Sequence, residues 1–247
     1  VNETTNVISF TGVGYIDGEF TAGVPAAFGT IQVFYSKRNG NWNDISPGTT
    51  PWSNVSHSGA DATTAPVVGD HVFIGDGNTF NHTITITANS QAAGGLAINT
   101  GSTLDIGIYT GHNFGTFENS SIAGSGVLRI SSATATAEFP AGDFGNFIRS
   151  TGGTVEYYTT GSQDFTIPLI GSTPTSLPLI SYKNLTLTPA AGRFILLPDQ
   201  DMRIYGNMTV QGSSSTGVTR LPSTASRTLT INGNLVVTSG NLQFQNG

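Results

Sequence analysis

One short phrase keeps returning in the second half of this chain. Gly or Asn turn residues lead into an apolar residue, one position intervenes, and a second apolar or aromatic residue follows. It is read in "GSTLDIG" at Leu104, "GSGVLRISS" at Leu128, "TGGTVEYYTT" at Val155, "YKNLTLTP" at Leu185, "YGNMTVQG" at Met208 and "NGNLVVTSG" at Leu235. The leading apolar residues lie 24, 27, 30, 23 and 27 positions apart. A unit recurring at that interval marks a solenoid, in which each unit buries its apolar face only against copies of itself.

The kind of solenoid follows from strand content. Each unit holds two or three strand-like pieces, such as "RFILLP", "DMRIYG" and "NMTVQG" between Arg193 and Gly212, and no helical periodicity. Gly, Asn, Ser and β-branched residues, abundant here, are all weak helix formers. The expected fold is therefore all-β, a right-handed parallel β-helix (β-solenoid) whose strands pair with their equivalents one coil above and below. Leu104 and Ile106, Leu128 and Ile130, Val155 and Tyr157, Met208 and Val210, and Leu235 and Val237 should point inward as apolar ladders. Asp105, Arg129, Glu156, Thr186, Thr209 and Val236 should form the outward row. The alternative is a β-sandwich of antiparallel hairpins. Recurring similar phrases favour the solenoid, because sandwich strands have no reason to resemble one another.

Residues 1–65 read differently, with strand-like pieces followed by a long turn-rich connection carrying Trp42 and Trp52. We expect an irregular N-terminal cap over 1–65 and β-helix repeats over 66–247. Because the pattern stops in mid-phrase, the chain reads as a piece of a longer solenoid.

Composition excludes several function classes. A net charge of −6, with nine Lys and Arg scattered singly, argues against nucleic acid, whose binding needs clustered cations. No apolar run approaches the roughly 20 residues of a membrane-spanning helix. With no cysteine, disulfides, thiolate metal sites and cysteine nucleophiles are absent.

The candidate chemistry is sparse. Asp199 and Asp201 sit two apart, with Arg203 two further on, where a carboxylate–guanidinium cluster would suit an acidic sugar; a solvated corner after Pro198 with a local ion pair is the plainer reading. Tyr157 and Tyr158 are adjacent, so one faces the core and Tyr158 is a candidate for stacking on a sugar ring. Trp42 and Trp52 are expected to be buried beneath the first coil. The four histidines, His57, His71, His82 and His112, lack metal-ligand spacing. "GDGN" at 75–78 reads as a turn rather than a calcium loop. No cofactor is expected, and Ca2+ is the one ion the acidic residues leave open.

The run "YSKRNGNWND…PWSN…PVVGDHVFIGDGNTF…TITITAN…GGLAINTGSTLDIG", with "GGTVEYYTTGSQDF", "YKNLTLT", "GNMTVQG" and "INGNLVVTSGNLQF" after it, resembles the repeats of long β-helical surface proteins of Bacteroidota. The resemblance covers most of residues 31–247 and rests on phrase order and composition, with no catalytic signature. It implies export by the type IX secretion system, a place on the cell surface, and a non-enzymatic adhesin or gliding-motility role. The chain would act as a stiff rod that displays surfaces to extracellular partners or polysaccharides. The alternatives are a β-helical polysaccharide lyase or hydrolase using Asp199, Asp201 and Arg203, and a carbohydrate-binding module using exposed aromatics such as Tyr158.

Overall fold

The computed structural model describes residues 31–115, 122–149, 151–160, 163–173, 175–221 and 227–243. Residues 1–30 of the expected cap, and the chain end at Gly247, lie outside the described residues. From Gln32 onward the chain forms one compact unit. Among the described residues there is no α-helix.

The backbone of the molecule is an eight-stranded sheet made of Gly40–Asn41, Thr83–Thr85, Thr103–Gly107, Val127–Ile130, Thr154–Tyr158, Asn184–Thr188, Met208–Gln211 and Leu235–Ser239, in that order. Every pairing within it is parallel. Sequence order and spatial order coincide, so each strand is one coil further along the axis. The fold is a parallel β-solenoid.

The register agrees with the phrase alignment at the leading apolar residue and the position after it, and slips by one residue after Arg129, where Ile130 meets Gly107 rather than Ile106, and after Val210. Leu104 pairs with Leu128, Leu128 with Val155, Val155 with Leu185, Leu185 with Met208, and Met208 with Leu235. One position on, Asp105, Arg129, Glu156, Thr186, Thr209 and Val236 form the outward row. Alternation produces this: successive side chains of a strand point to opposite faces, so an apolar–polar–apolar phrase has one way to sit. The inward residues from Leu104 to Val210 are buried, each fully buried aliphatic side chain contributing about 1.5–3 kcal/mol. Leu235 and Val237, expected in the same ladder, are instead 46% and 48% exposed. They keep their register, but no described coil stacks beyond them.

The Gly-Asn of the phrase has its own cause. The side-chain oxygen of Asn184 accepts the Asn207 backbone N–H at 3.0 Å, and that of Asn207 accepts the Asn234 N–H at 2.9 Å. These three asparagines form a ladder at one corner, in which Asn184 and Asn207 each serve the backbone donor of the next. The preceding glycines stack as well: Gly233 N–H donates to the Gly206 carbonyl at 2.9 Å, and a Cβ on Gly233 would lie 2.5 Å from that oxygen. No side chain fits there.

Two further faces complete the later coils. Ser181–Tyr182, Met202–Ile204 and Leu229–Ile231 form one sheet, and Phe165–Thr166, Phe194–Leu196, Val218–Arg220 and Asn241–Gln243 another. Nearer the start of the described residues, Val33–Ser36, His71–Ile74 and Gly95–Ile98 stack in parallel, while Trp52–Ser53 joins Val33–Ser36 antiparallel. Trp42 and Trp52 are fully buried and meet edge to face at 5.4 Å, and Trp52 Nε1 donates to the Trp42 carbonyl at 2.8 Å. Between Ile130 and Thr154 the coil departs from strand geometry. There Phe139, Phe144 and Phe147 fill the interior, with ring centroids 5.0 and 6.2 Å apart.

Candidate functional site

The outward face of the long sheet carries its charge in one closed network. Arg129 donates from Nη1 to Asp105 at 2.7 Å and from Nε to Glu156 at 3.0 Å. Glu156 also accepts the Thr188 hydroxyl at 2.9 Å, and Asp105 accepts the Tyr158 hydroxyl at 2.8 Å. The guanidinium carbon lies 4.2 Å from the Tyr158 ring centroid. Burial works against the charge of Arg129, yet Glu156 and Asp105 outweigh it and hold the guanidinium above its ordinary value. Burial first, and then the Asp105 carboxylate, push the Tyr158 hydroxyl far above the normal range. Tyr158 is thus the lid of an ion network, with one ring face occupied by Arg129.

The acidic pair lies elsewhere. Asp199 and Asp201 precede the strand Met202–Ile204, in the corner after Pro198, rather than within it. Each reaches to the following coil: Asp199 pairs with Arg227 Nε at 2.8 Å, and Asp201 accepts the Thr228 N–H at 2.8 Å. The guanidinium beside Asp199 is therefore Arg227, not Arg203.

Arg203 stands in a strand, on the outward row Ser181–Arg203–Thr230 of three successive coils. Beside this row opens a groove of about 610 Å3, lined by Arg149, Ser181, Asp201, Arg203, Tyr205, Thr228 and Thr230 among others. Clefts of 300–1,000 Å3 are the usual size for small-ligand sites. The guanidinium of Arg203 lies 5.1 Å from the Tyr205 ring centroid. Of the residues singled out from sequence, the groove gathers Asp201 and Arg203; Asp199 is absent from its lining, and Tyr158 belongs to the other face.

Sequence reasoning missed Arg149, Tyr205 and the hydroxyls. Thr230 was within reach, because "RIYGN" and "TINGN" align Arg203 with Thr230 on the same Gly-Asn corner, whereas "ISYKN" aligned there sets Ile180 beside Arg203 and the structure sets Ser181. Arg149 carried no such signal, since it lies in the irregular coil between Ile130 and Thr154.

The remaining candidates resolve into structure. Asp76 of the "GDGN" segment accepts the N–H groups of Asn78, Thr79 and Phe80 through one oxygen, a tight turn closed by its own carboxylate. Those bonds, chiefly from Asn78 and Phe80, hold its pKa below the usual value. His82 Nδ1 lies 2.9 Å from the Ser36 hydroxyl, which itself accepts the Gly75 N–H at 2.8 Å. Among the described residues no group of three or more His, Asp or Glu side chains is arranged to hold a metal ion, and no helix is long and apolar enough to cross a membrane.

No protein-family model, curated protein or solved structure gives a significant match to this chain.

Proposed function

We propose that the chain is a non-enzymatic segment of a large extracellular, cell-surface adhesin-like protein, a stiff solenoid rod that holds ligand-facing surfaces away from its axis. The observation that carries this reading is where the outward carboxylates go. Asp105, Glu156, Asp199 and Asp201 each accept a hydrogen bond or ion pair from a neighbouring coil. Such contacts join coils. A glycoside-cleaving pair needs two carboxyl groups flanking one bond and poised to exchange protons. The surface location, the type IX route and the adhesion or gliding role rest on the resemblance of the repeat phrases.

Two measurements test it. Incubation with a panel of plant, algal and bacterial polysaccharides should release no reducing ends or unsaturated products above blank; release that disappears in Asp199→Ala/Asp201→Ala makes the chain an enzyme. Antibody labelling of intact source cells should stain their surface, with the signal removed by external protease. Staining that needs lysis overturns the location.

A further inference from the structure

We infer that the groove beside Ser181, Arg203 and Thr230 binds an acidic saccharide, with Arg149 and Arg203 taking its carboxylate or sulfate. This deepens the proposed display function by naming the ligand class of one surface, and it rests on that reading.

The inference starts from the distribution of cations. The chain has nine Lys and Arg against fifteen Asp and Glu, so positive charge is scarce. Lys37, Arg38, Arg129, Arg193 and Arg227 are all in ion pairs. Of the other four, Arg220 lies over the Phe194 ring and bonds Gln243, Lys183 stands outside the groove, and Arg149 and Arg203, in no ion pair among the described residues, both line it. The groove's charged lining is those two arginines and one aspartate, which leaves a positive cleft on an acidic molecule. Asp201 is turned partly to other work, accepting the Thr228 N–H.

Geometry then selects the ligand. The Tyr205 ring lies against the Arg203 guanidinium, and a guanidinium held by its face keeps its N–H edge available for a carboxylate or sulfate. Ser181, Thr228 and Thr230 add hydroxyls, which both donate and accept and so match the hydroxyls of a sugar. A bare phosphate would be better served by a glycine-rich nest of backbone N–H groups, and none of the lining residues is glycine. The row Ser181–Arg203–Thr230 runs along the solenoid axis across three coils, so the long direction of the site follows the rod.

The test is calorimetric titration of the whole chain with trigalacturonate, a sulfated galactose trisaccharide, neutral galactotriose, triglutamate and inorganic phosphate. One or both acidic saccharides should bind, and which of them does identifies carboxylate or sulfate as the anion. Binding should weaken severalfold between 20 and about 200 mM salt, as exposed charge pairs are screened. Arg203→Gln and Arg149→Gln should each lower affinity about tenfold with unchanged circular dichroism and melting. Lys183→Gln, which removes a cation outside the groove, should not. Equal binding of the neutral sugar, equal or tighter binding of triglutamate or phosphate, equal loss in Lys183→Gln, or no binding of either acidic saccharide overturns the inference. Cleavage of the titrated sugar would instead end the non-enzymatic reading while leaving the groove's ligand class intact.

Discussion

Arg129 lies directly across from Asp105 in the neighbouring coil, and its Nη1 is 2.7 Å from the carboxylate. The same side chain reaches Glu156 on the opposite side at 3.0 Å. One guanidinium therefore ties three successive coils together. The two carboxylates are only 12% and 13% exposed, so they depend on it.

Arg129→Met should destabilise the fold by about 2 kcal/mol, short of the 3–5 kcal/mol of a fully buried pair because the arginine keeps partial solvent contact. Two largely buried carboxylates are left without their cation, so adding Asp105→Asn and Glu156→Gln to Arg129→Met should recover part of the loss. Urea midpoints of the single and triple variants at pH 7 check this. A triple variant no more stable than Arg129→Met contradicts the network.

The inward ladder gives a second expectation. Leu185 is fully buried between Val155 and Met208. Leu185→Ala removes three carbons from a site whose neighbours are fixed by backbone pairing on both sides, so collapse is limited. A cost of about 3–4 kcal/mol follows. Leu235→Ala, at the half-exposed equivalent position, should cost less than about 1.5 kcal/mol. Similar losses at the two positions would mean that burial does not govern this ladder.

A third expectation concerns the corner. Asn207 both sends its N–H to Asn184 and receives that of Asn234. Asn207→Ala keeps the first bond and removes the second, leaving the Asn234 N–H to solvent. Since that corner is exposed, water recovers part of the bond, and about 0.5–1.5 kcal/mol should be lost. Hydrogen exchange at the Asn234 amide should accelerate by at least tenfold, while that at Asn207 should hold; unchanged exchange at Asn234 would break the ladder argument.

These three positions also show what the sequence makes legible. Leu185 and Asn207 sit inside a repeated phrase, and repetition fixes register: once Leu104, Leu128, Val155, Leu185 and Met208 are aligned, the outward neighbours follow, while the slip that sets Ile130 against Gly107 has no signal in the phrase. The outward row was readable in the same way, but its pairing was not, because nothing local says that Arg129 turns to Asp105 and Glu156 together. Asp199 shows the limit from the other side. Its nearest cation in sequence, Arg203, is two strand positions beyond the corner and faces the groove, while Arg227, a full coil later, closes the ion pair. The irregular coil holding Phe139, Phe144 and Phe147 was illegible, since its burial comes from aromatic packing without alternation. Arg149, half of the proposed anion site, went unseen for that reason.

The last expectation is a pH dependence carried by two histidines. His112 is 1% exposed, its ring stacks on Phe114 at 5.8 Å, and its Nδ1 accepts the Gln91 N–H at 3.1 Å. Burial pushes its pKa below 6.5, with the Tyr109 backbone and the Glu138 charge offsetting only part. His82 is shifted the same way, again chiefly by burial. In the unfolded chain both return to about 6.5. As pH falls through 6.5 the unfolded state takes up protons that the folded state refuses, so stability is complete above that value and declines below it. Asp61 and Asp76 have pKa values held below 3.8, so their contribution is retained above about pH 5. The interval from pH 7 to 5.5 therefore isolates the histidines. Urea midpoints should fall across it in the wild type. His112→Phe keeps the stack on Phe114 and leaves the Gln91 N–H unpaired, costing about 1–2 kcal/mol at pH 7. Its further decline by pH 5.5 should nevertheless be smaller than the wild type's, because one proton-linked group is gone. An equal decline in both proteins would show that His112 is not held neutral by its burial.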